Sequence, residues 1–196
     1  MVIVLIVIGL IVLLGLIYIL VRNSMIGARN RVDEAWSGID VQLKRRHDLV
    51  PNLVETVKGY AQHEQKTFEA TTKARAEAMA AQGVDQTRAA EQNLTAALAN
   101  LRAVAENYPQ LRATENFQRL QASLAEIEDE IQASRRIYNS NVQSYNTKIQ
   151  IFPNSIIASQ GGFTPREFFE IETAADREPV EVSFTQPAAG GQPAGS

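Results

Sequence analysis

The chain has 196 residues, 19 basic and 22 acidic side chains, a net charge of −3 and no cysteine. That charge balance argues against a nucleic-acid binder, which carries a strong basic surplus. The lack of cysteine excludes a lipoprotein anchor and fits either side of a membrane.

Met1 to Val21 carries no charged side chain and is almost purely Val, Ile and Leu. At about 1.5 Å per residue, Val2–Val21 makes a helix of roughly 30 Å, the thickness of a bilayer's hydrocarbon core. A lone span in lipid must pair its backbone groups internally, so it is a helix. Nothing basic precedes the run, it exceeds the roughly 7–15 apolar residues of a signal peptide, and Arg22-Asn23-Ser24-Met25 offers no small-x-small cleavage site. An uncleaved single-pass anchor over 1–21 is expected. Gly9 and Gly15 are not at GxxxG spacing, so the span gives no dimerisation signal. Arg22, Arg29, Arg31, Lys44, Arg45 and Arg46 follow the span. The positive-inside rule then places the remainder in the cytoplasm and the N-terminus outside, in a cell (inner) membrane, with the reverse orientation as the alternative.

About 175 residues remain, enough for one modest domain. They are rich in Ala, Glu, Gln, Asn, Arg and Leu, a helical composition. Val32, Trp36, Ile39 and Leu43 form a first apolar seam; Leu53, Val57, Tyr60, Glu64 and Phe68 form a second. A third runs through Leu94, Leu98, Leu101, Ala105 and Tyr108. The longest runs from Phe117 through Leu120, Leu124, Ile127, Ile131, Tyr138, Val142, Tyr145 and Ile149 to Phe152. Breaks are expected at His47–Pro51, Gly83 and Pro109. They give helices over 24–46, 50–81, 85–107 and 114–151, with Asp48, Asp85 and Thr114 or Asn116 as capping residues.

The expected fold is all-α: an N-terminal transmembrane helix followed by an antiparallel up-and-down four-helix bundle over 22–152. If the first helix is continuous through Pro51, three long helices result. Lys44–Asn52 and Tyr108–Phe117 would meet at the distal end. A membrane-proximal extension follows over 153–184, in which Thr164 caps a short helix begun by Pro165. It docks on the bundle or lies in the lipid interface. The Pro-, Gly- and Ala-rich stretch 185–196 is expected to be disordered.

Ala35-Trp36-Ser37-Gly38-Ile39-Asp40-Val41-Gln42-Leu43-Lys44-Arg45-Arg46-His47-Asp48-Leu49-Val50-Pro51-Asn52-Leu53-Val54, continued by Val57–Glu64, resembles the hallmark segment of the bacterial LemA family. Glu106–Leu111 with Glu115-Asn116-Phe117 is similar to its second signature. Arg135–Asn139 with Tyr145-Asn146 and Phe152-Pro153 is similar to its third. The Gly162–Phe169 stretch is also similar to the family. The resemblance covers about Asn30 to Phe169 and implies a single-span membrane protein with a helical bundle. It implies no reaction, because the family has none firmly assigned.

Signals for chemistry are weak. His47 and His63 lie on different elements, and His63-Glu64 lacks the second histidine of a zinc-binding HExxH helix. No serine sits in a nucleophile turn, and Gly161-Gly162 opens onto Phe163 rather than a phosphate-binding helix. No catalytic residue, metal, cofactor or small-molecule substrate is expected. Polar residues on or near the seams (Asp40, Arg46, Asn52, Glu64, Arg135, Asn139 and Asn146) either pair within the bundle or cap its ends.

A candidate partner surface comprises Arg135, Arg136, Tyr138, Asn139, Tyr145 and Asn146, whose residue types are enriched at protein interfaces, together with the basic run Lys44, Arg45 and Arg46. The alternatives are internal packing for the first group and complementing a helix C-terminus for the second. Trp36, Phe163, Phe168 and Phe169 are candidate membrane contacts, with Trp36 as core the competing reading. The expected role is a membrane-anchored, non-enzymatic scaffold. Its partners would be the lipid bilayer and envelope proteins, such as a membrane protease or its own copies. The alternative is a lipid-contacting or membrane-shaping module using 152–169. A sensory component ranks below both.

Overall fold

A computed structural model of the protein describes residues 1–170. The tail expected to be disordered (185–196) and the outer part of the extension (171–184) lie outside the described residues.

The described residues form six helices in order: α1 Val2–Lys58, α2 Gln65–Ala80, α3 Gly83–Glu106, α4 Pro109–Arg112, α5 Glu115–Gln150 and α6 Asn154–Gln160. α1 is a single 57-residue helix, roughly 85 Å long, that carries the apolar run and continues without a break. From Val2 to Leu20 its side chains are exposed, and no other part of the described chain covers them. It is long and apolar enough to cross a membrane.

Beyond Val21, α1 and α5 pair antiparallel along their whole length. Lys148 Nζ donates to Ser24 Oγ at 2.9 Å, and Asn141 Nδ2 to the Arg31 carbonyl at 3.3 Å. Arg46 faces Glu128 at 3.6 Å, and Asn116 Nδ2 donates to Thr56 Oγ1 at 3.3 Å. α2 runs back beside the upper half of α1, and α3 runs out again. The result is up-down-up-down, with α1 in its continuous form. The chain turns at Gly59–Glu64 rather than at His47–Pro51. Pro51 lies inside α1, and the expected second helix begins only at Gln65.

Proline inside a helix leaves the carbonyl four residues earlier without its usual donor. Here that carbonyl belongs to His47, and Arg75 Nε on α2 donates to it at 2.7 Å. A donor from a neighbouring helix thus replaces the missing amide. Lys44–His47 consequently sit in mid-helix, where there is no helix C-terminus for their charge to complement. The distal end is formed by Gly59–Glu64 and by Asn107–Thr114 around α4.

Two apolar clusters fill the bundle. The distal one joins Val50, Leu53 and Val57 of α1 to Phe68, Leu94, Leu101, Leu111 and Phe117. The proximal one joins Met25, Val32, Ile39 and Leu43 of α1 to Ile127, Ile131, Tyr138, Val142, Tyr145 and Ile149 of α5. Ile157, Ala158 and Phe169 complete it. Each large side chain so buried contributes about 1.5–3 kcal/mol relative to exposure. The α2–α3 turn, where Gly83 adopts φ 74°, reaches down only as far as Trp36 and Tyr138, with which Gly83 lines one depression. Below that level the third layer is supplied by α6 and the segment after it. The short helix expected at Thr164-Pro165 does not form: residues 163–170 are neither helix nor strand.

Candidate functional site

α5 carries two Tyr-Asn dipeptides, Tyr138-Asn139 and Tyr145-Asn146, seven residues apart. Seven residues are close to two helical turns, so both pairs face the same side. They hold the segment Thr164–Phe169 by its backbone. Tyr145 Oη donates to the Thr164 carbonyl at 3.0 Å, and Tyr138 Oη to the Glu167 carbonyl at 2.9 Å. Asn146 accepts from the Arg166 amide at 2.8 Å and donates to the Arg166 carbonyl at 2.9 Å. Asn139 does the same for Phe169, at 2.9 and 3.3 Å.

The register is geometric. Two helical turns advance about 10 Å, and so do three residues of extended chain. The repeat of seven on α5 therefore meets a repeat of three on the segment: 164 and 167 for the tyrosines, 166 and 169 for the asparagines. Side chains add to the backbone contacts. Arg166 Nη2 reaches Asp33 Oδ1 on α1 at 3.0 Å, so the segment bridges both long helices. Phe169 is fully buried, with its ring edge-on to Trp36 at 5.4 Å. Trp36 in turn meets Tyr138 edge-on at 5.3 Å. The Arg135 guanidinium lies 5.5 Å from the Phe169 ring centre and its Nε is 3.4 Å from the Phe169 carbonyl.

Burial shifts the ionisable groups of this clamp. It pushes the Tyr138 and Tyr145 hydroxyls above the ordinary tyrosine range, against the pull of Arg166. Asp33 adds to the upward push on both. Burial also lowers Arg135, opposed by the nearby carboxylates of Glu128 and Glu170. On α1, desolvation raises the Asp40 carboxyl.

A second polar cluster lies between the two apolar ones. Glu91 of α3 is fully buried. Its carboxylate meets His47 Nε2 at 2.5 Å and Arg46 Nη1 at 3.3 Å. Arg46 Nη2 donates to Thr95 Oγ1 at 2.9 Å. The sequence offers Arg46 both as a seam residue that pairs internally or caps an end and as part of the basic partner surface; it is buried and pairs internally. Glu91 went unnoticed, although it lies one seam step before Leu94. All buried side-chain nitrogens and oxygens among the described residues have partners. Among those residues no group of three or more metal-ligating side chains assembles.

The structure therefore divides the residues singled out from the sequence. Arg135, Tyr138, Asn139, Tyr145 and Asn146 hold the chain's own segment, and Arg46 is buried in the ionic cluster. Among the described residues Lys44, Arg45 and Arg136 are exposed, and Arg45 Nη1 donates to Gln42 Oε1. Of the aromatic residues, Trp36 and Phe169 pack together on the bundle. Phe163 is half-buried beneath Arg29, whose guanidinium lies 5.7 Å from its ring centre, and Phe168 is 39% exposed. Phe152, the first residue of the 152–169 segment offered as a lipid contact, is 80% exposed.

Residues 35–184 match the model of the LemA family. The magnetosome protein MamQ 2 of Paramagnetospirillum magneticum is 27% identical over 180 residues, covering 79% of this chain and 66% of that protein. The magnetosome protein MamQ of Magnetospirillum gryphiswaldense is 26% identical over 166 residues, 71% of this chain and 61% of that one. This chain thus spans just under two thirds of the length of these MamQ proteins. Protein LemA of Metamycoplasma hominis is 27% identical over 174 residues, 87% of this chain and 77% of that protein.

Proposed function

Because the chain belongs to the LemA family, we propose that it is a membrane-anchored, non-enzymatic scaffold that presents a rigid helical surface to envelope proteins or to its own copies. One observation carries this reading: α1 runs unbroken from the apolar run to Lys58. A continuous helix has no swivel, so whatever the bundle displays is held at a fixed height above the bilayer. The buried polar groups support the same reading, because they are committed to packing and to the docked segment. The similarity to LemA and MamQ proteins supports a membrane-associated role without catalysis. The exposed remainder of the candidate surface, Lys44 and Arg45 on α1 with Arg136 on α5, is where we place contact with a partner. The charge flanking the span supports a cytoplasmic bundle on the inner membrane.

Site-specific photo-crosslinking from Arg45 and Arg136 in intact cells, paired with protease accessibility in spheroplasts, tests this. A discrete crosslinked species that persists when the span is replaced by an unrelated one is the expected result. Only uncrosslinked monomer from both positions would overturn the scaffold reading. Cleavage of the bundle in intact spheroplasts would overturn the cytoplasmic orientation.

A second reading, a lipid-contacting module, is favoured by the apolar surface at the foot of the bundle around Phe152.

A further inference from the structure

The foot of the bundle exposes Ile151 (50%), Phe152 (80%) and Ile156 (52%) within six residues of chain. Ile151 and Phe152 belong to the turn between α5 and α6 and Ile156 to the first turn of α6, while the next two residues, Ile157 and Ala158, face inward on the proximal core. Isolated exposed apolar residues need no explanation, but three large ones gathered at one end of a molecule mark a contact surface.

Their height along the bundle says what covers them. Lys148 on α5 bonds Ser24 on α1. Antiparallel helices advance equally, so three residues further along α5, at Ile151, the level on α1 is Val21. Val21 is the last residue of the uncharged run and packs on the same cluster as Ile157 and Ala158. The exposed group therefore continues the apolar surface of the span at the plane where α1 leaves the bilayer. Arg22 and Lys148 stand just outside that plane, at the level of lipid headgroups.

From this continuity we infer that Ile151, Phe152 and Ile156 insert into the interfacial layer of the leaflet from which α1 emerges, giving the bundle a second contact with the bilayer. The inference rests on the membrane-anchored reading above. It assigns lipid contact to residues other than the aromatic ones that pack on the bundle. Two contact points, the span and this foot, fix the tilt of the bundle as well as its height.

The native chain has no cysteine, so single cysteines can carry a nitroxide without removing any native thiol. Phe152→Cys and Ile156→Cys replace exposed side chains, so neither removes a core contact. Leu14→Cys reports on the span, and Ile137→Cys, 60% exposed and about 20 Å further up α5, reports on water. The full chain is reconstituted in phosphatidylcholine vesicles. Nitroxide collision rates are then measured with oxygen, which partitions into lipid, and with a water-soluble nickel chelate. The expected oxygen-to-nickel ratio at 152 and 156 lies several-fold above that at 137 and approaches that at 14. Ratios at 152 and 156 equal to that at 137, with Leu14→Cys still lipid-like, would overturn the second contact and leave the anchor standing. A water-like ratio at Leu14→Cys would overturn both.

Discussion

The backbone carbonyl of His47 accepts a 2.7 Å hydrogen bond from Nε of Arg75, the bond that proline at position 51 denies it within the helix. This pairing lets α1 run on past Pro51 and fixes the distance from the membrane to the first turn. A charged donor to a buried acceptor contributes about 1.5–3 kcal/mol. Arg75→Ala should cost about that in thermal or urea unfolding of the full chain in detergent. In a Pro51→Ala background the restored amide supplies the bond, so the cost of Arg75→Ala should fall to less than half. Equal costs in both backgrounds would show that Arg75 acts elsewhere.

Glu91 is the carboxylate that Arg46 and His47 share, and it is fully enclosed. Removing one member of such a group strands the others, typically at about 3–5 kcal/mol. Glu91→Ala should therefore lower the melting temperature sharply. Replacing the group together, as Arg46→Met, His47→Leu and Glu91→Leu, should recover most of the loss, because a packed apolar layer no longer contains a stranded charge. A Glu91→Ala variant within about 1 kcal/mol of wild type in denaturant unfolding would contradict this.

The same residues show what the sequence makes legible. The all-α fold and the long seams of α1 and α5 follow directly from apolar spacing. Pro51 reads either as a break or as a position the first helix passes through, and the seams do not choose; what chooses is Arg75, a long-range contact without a local signal. Glu91 was legible in principle, as a charge on the buried seam of α3, but it invites no attention until His47 and Arg46 are seen opposite. The Tyr-Asn pairs stood out by type, yet nothing in α5 says that their partner is the backbone of Thr164–Phe169. Backbone recognition leaves little trace in the partner's side chains, so the sequence leaves Phe169 open to docking on the bundle or to lipid contact.

The asparagines should control docking of that segment. Each contributes two bonds to one residue's backbone, at about 0.5–1.5 kcal/mol per bond. Asn139→Ala with Asn146→Ala should release residues 164–169 while leaving the helices intact. Hydrogen exchange should then rise by more than tenfold at the Arg166 and Phe169 amides, with unchanged far-ultraviolet dichroism. Asn146→Asp should lie between wild type and alanine, because it keeps the acceptor for the Arg166 amide and loses the donor to its carbonyl. Unchanged exchange in the double variant would mean that Phe169 in its aromatic pocket suffices to hold the segment.

The tyrosines make the same docking sensitive to alkali. Both hydroxyls must keep their protons to donate to Thr164 and Glu167, and burial holds both above the ordinary value of about 10. The folded chain therefore binds these protons more tightly than the unfolded chain does. By linkage, their contribution is fully present below about pH 10 and is lost as pH rises from there through the folded values. Absorbance at 295 nm follows tyrosinate directly, and the chain has five tyrosines. The wild-type titration should show a late portion that disappears in Tyr138→Phe with Tyr145→Phe. Release of the segment, followed by a probe on Phe168→Cys, should coincide with that portion. In the double phenylalanine variant the segment is bound less tightly at neutral pH, and the loss that remains on raising the pH should no longer track tyrosine ionisation. Superimposable normalised titrations of wild type and double variant would remove the tyrosines from the account and leave the asparagines and Phe169 as the determinants of docking.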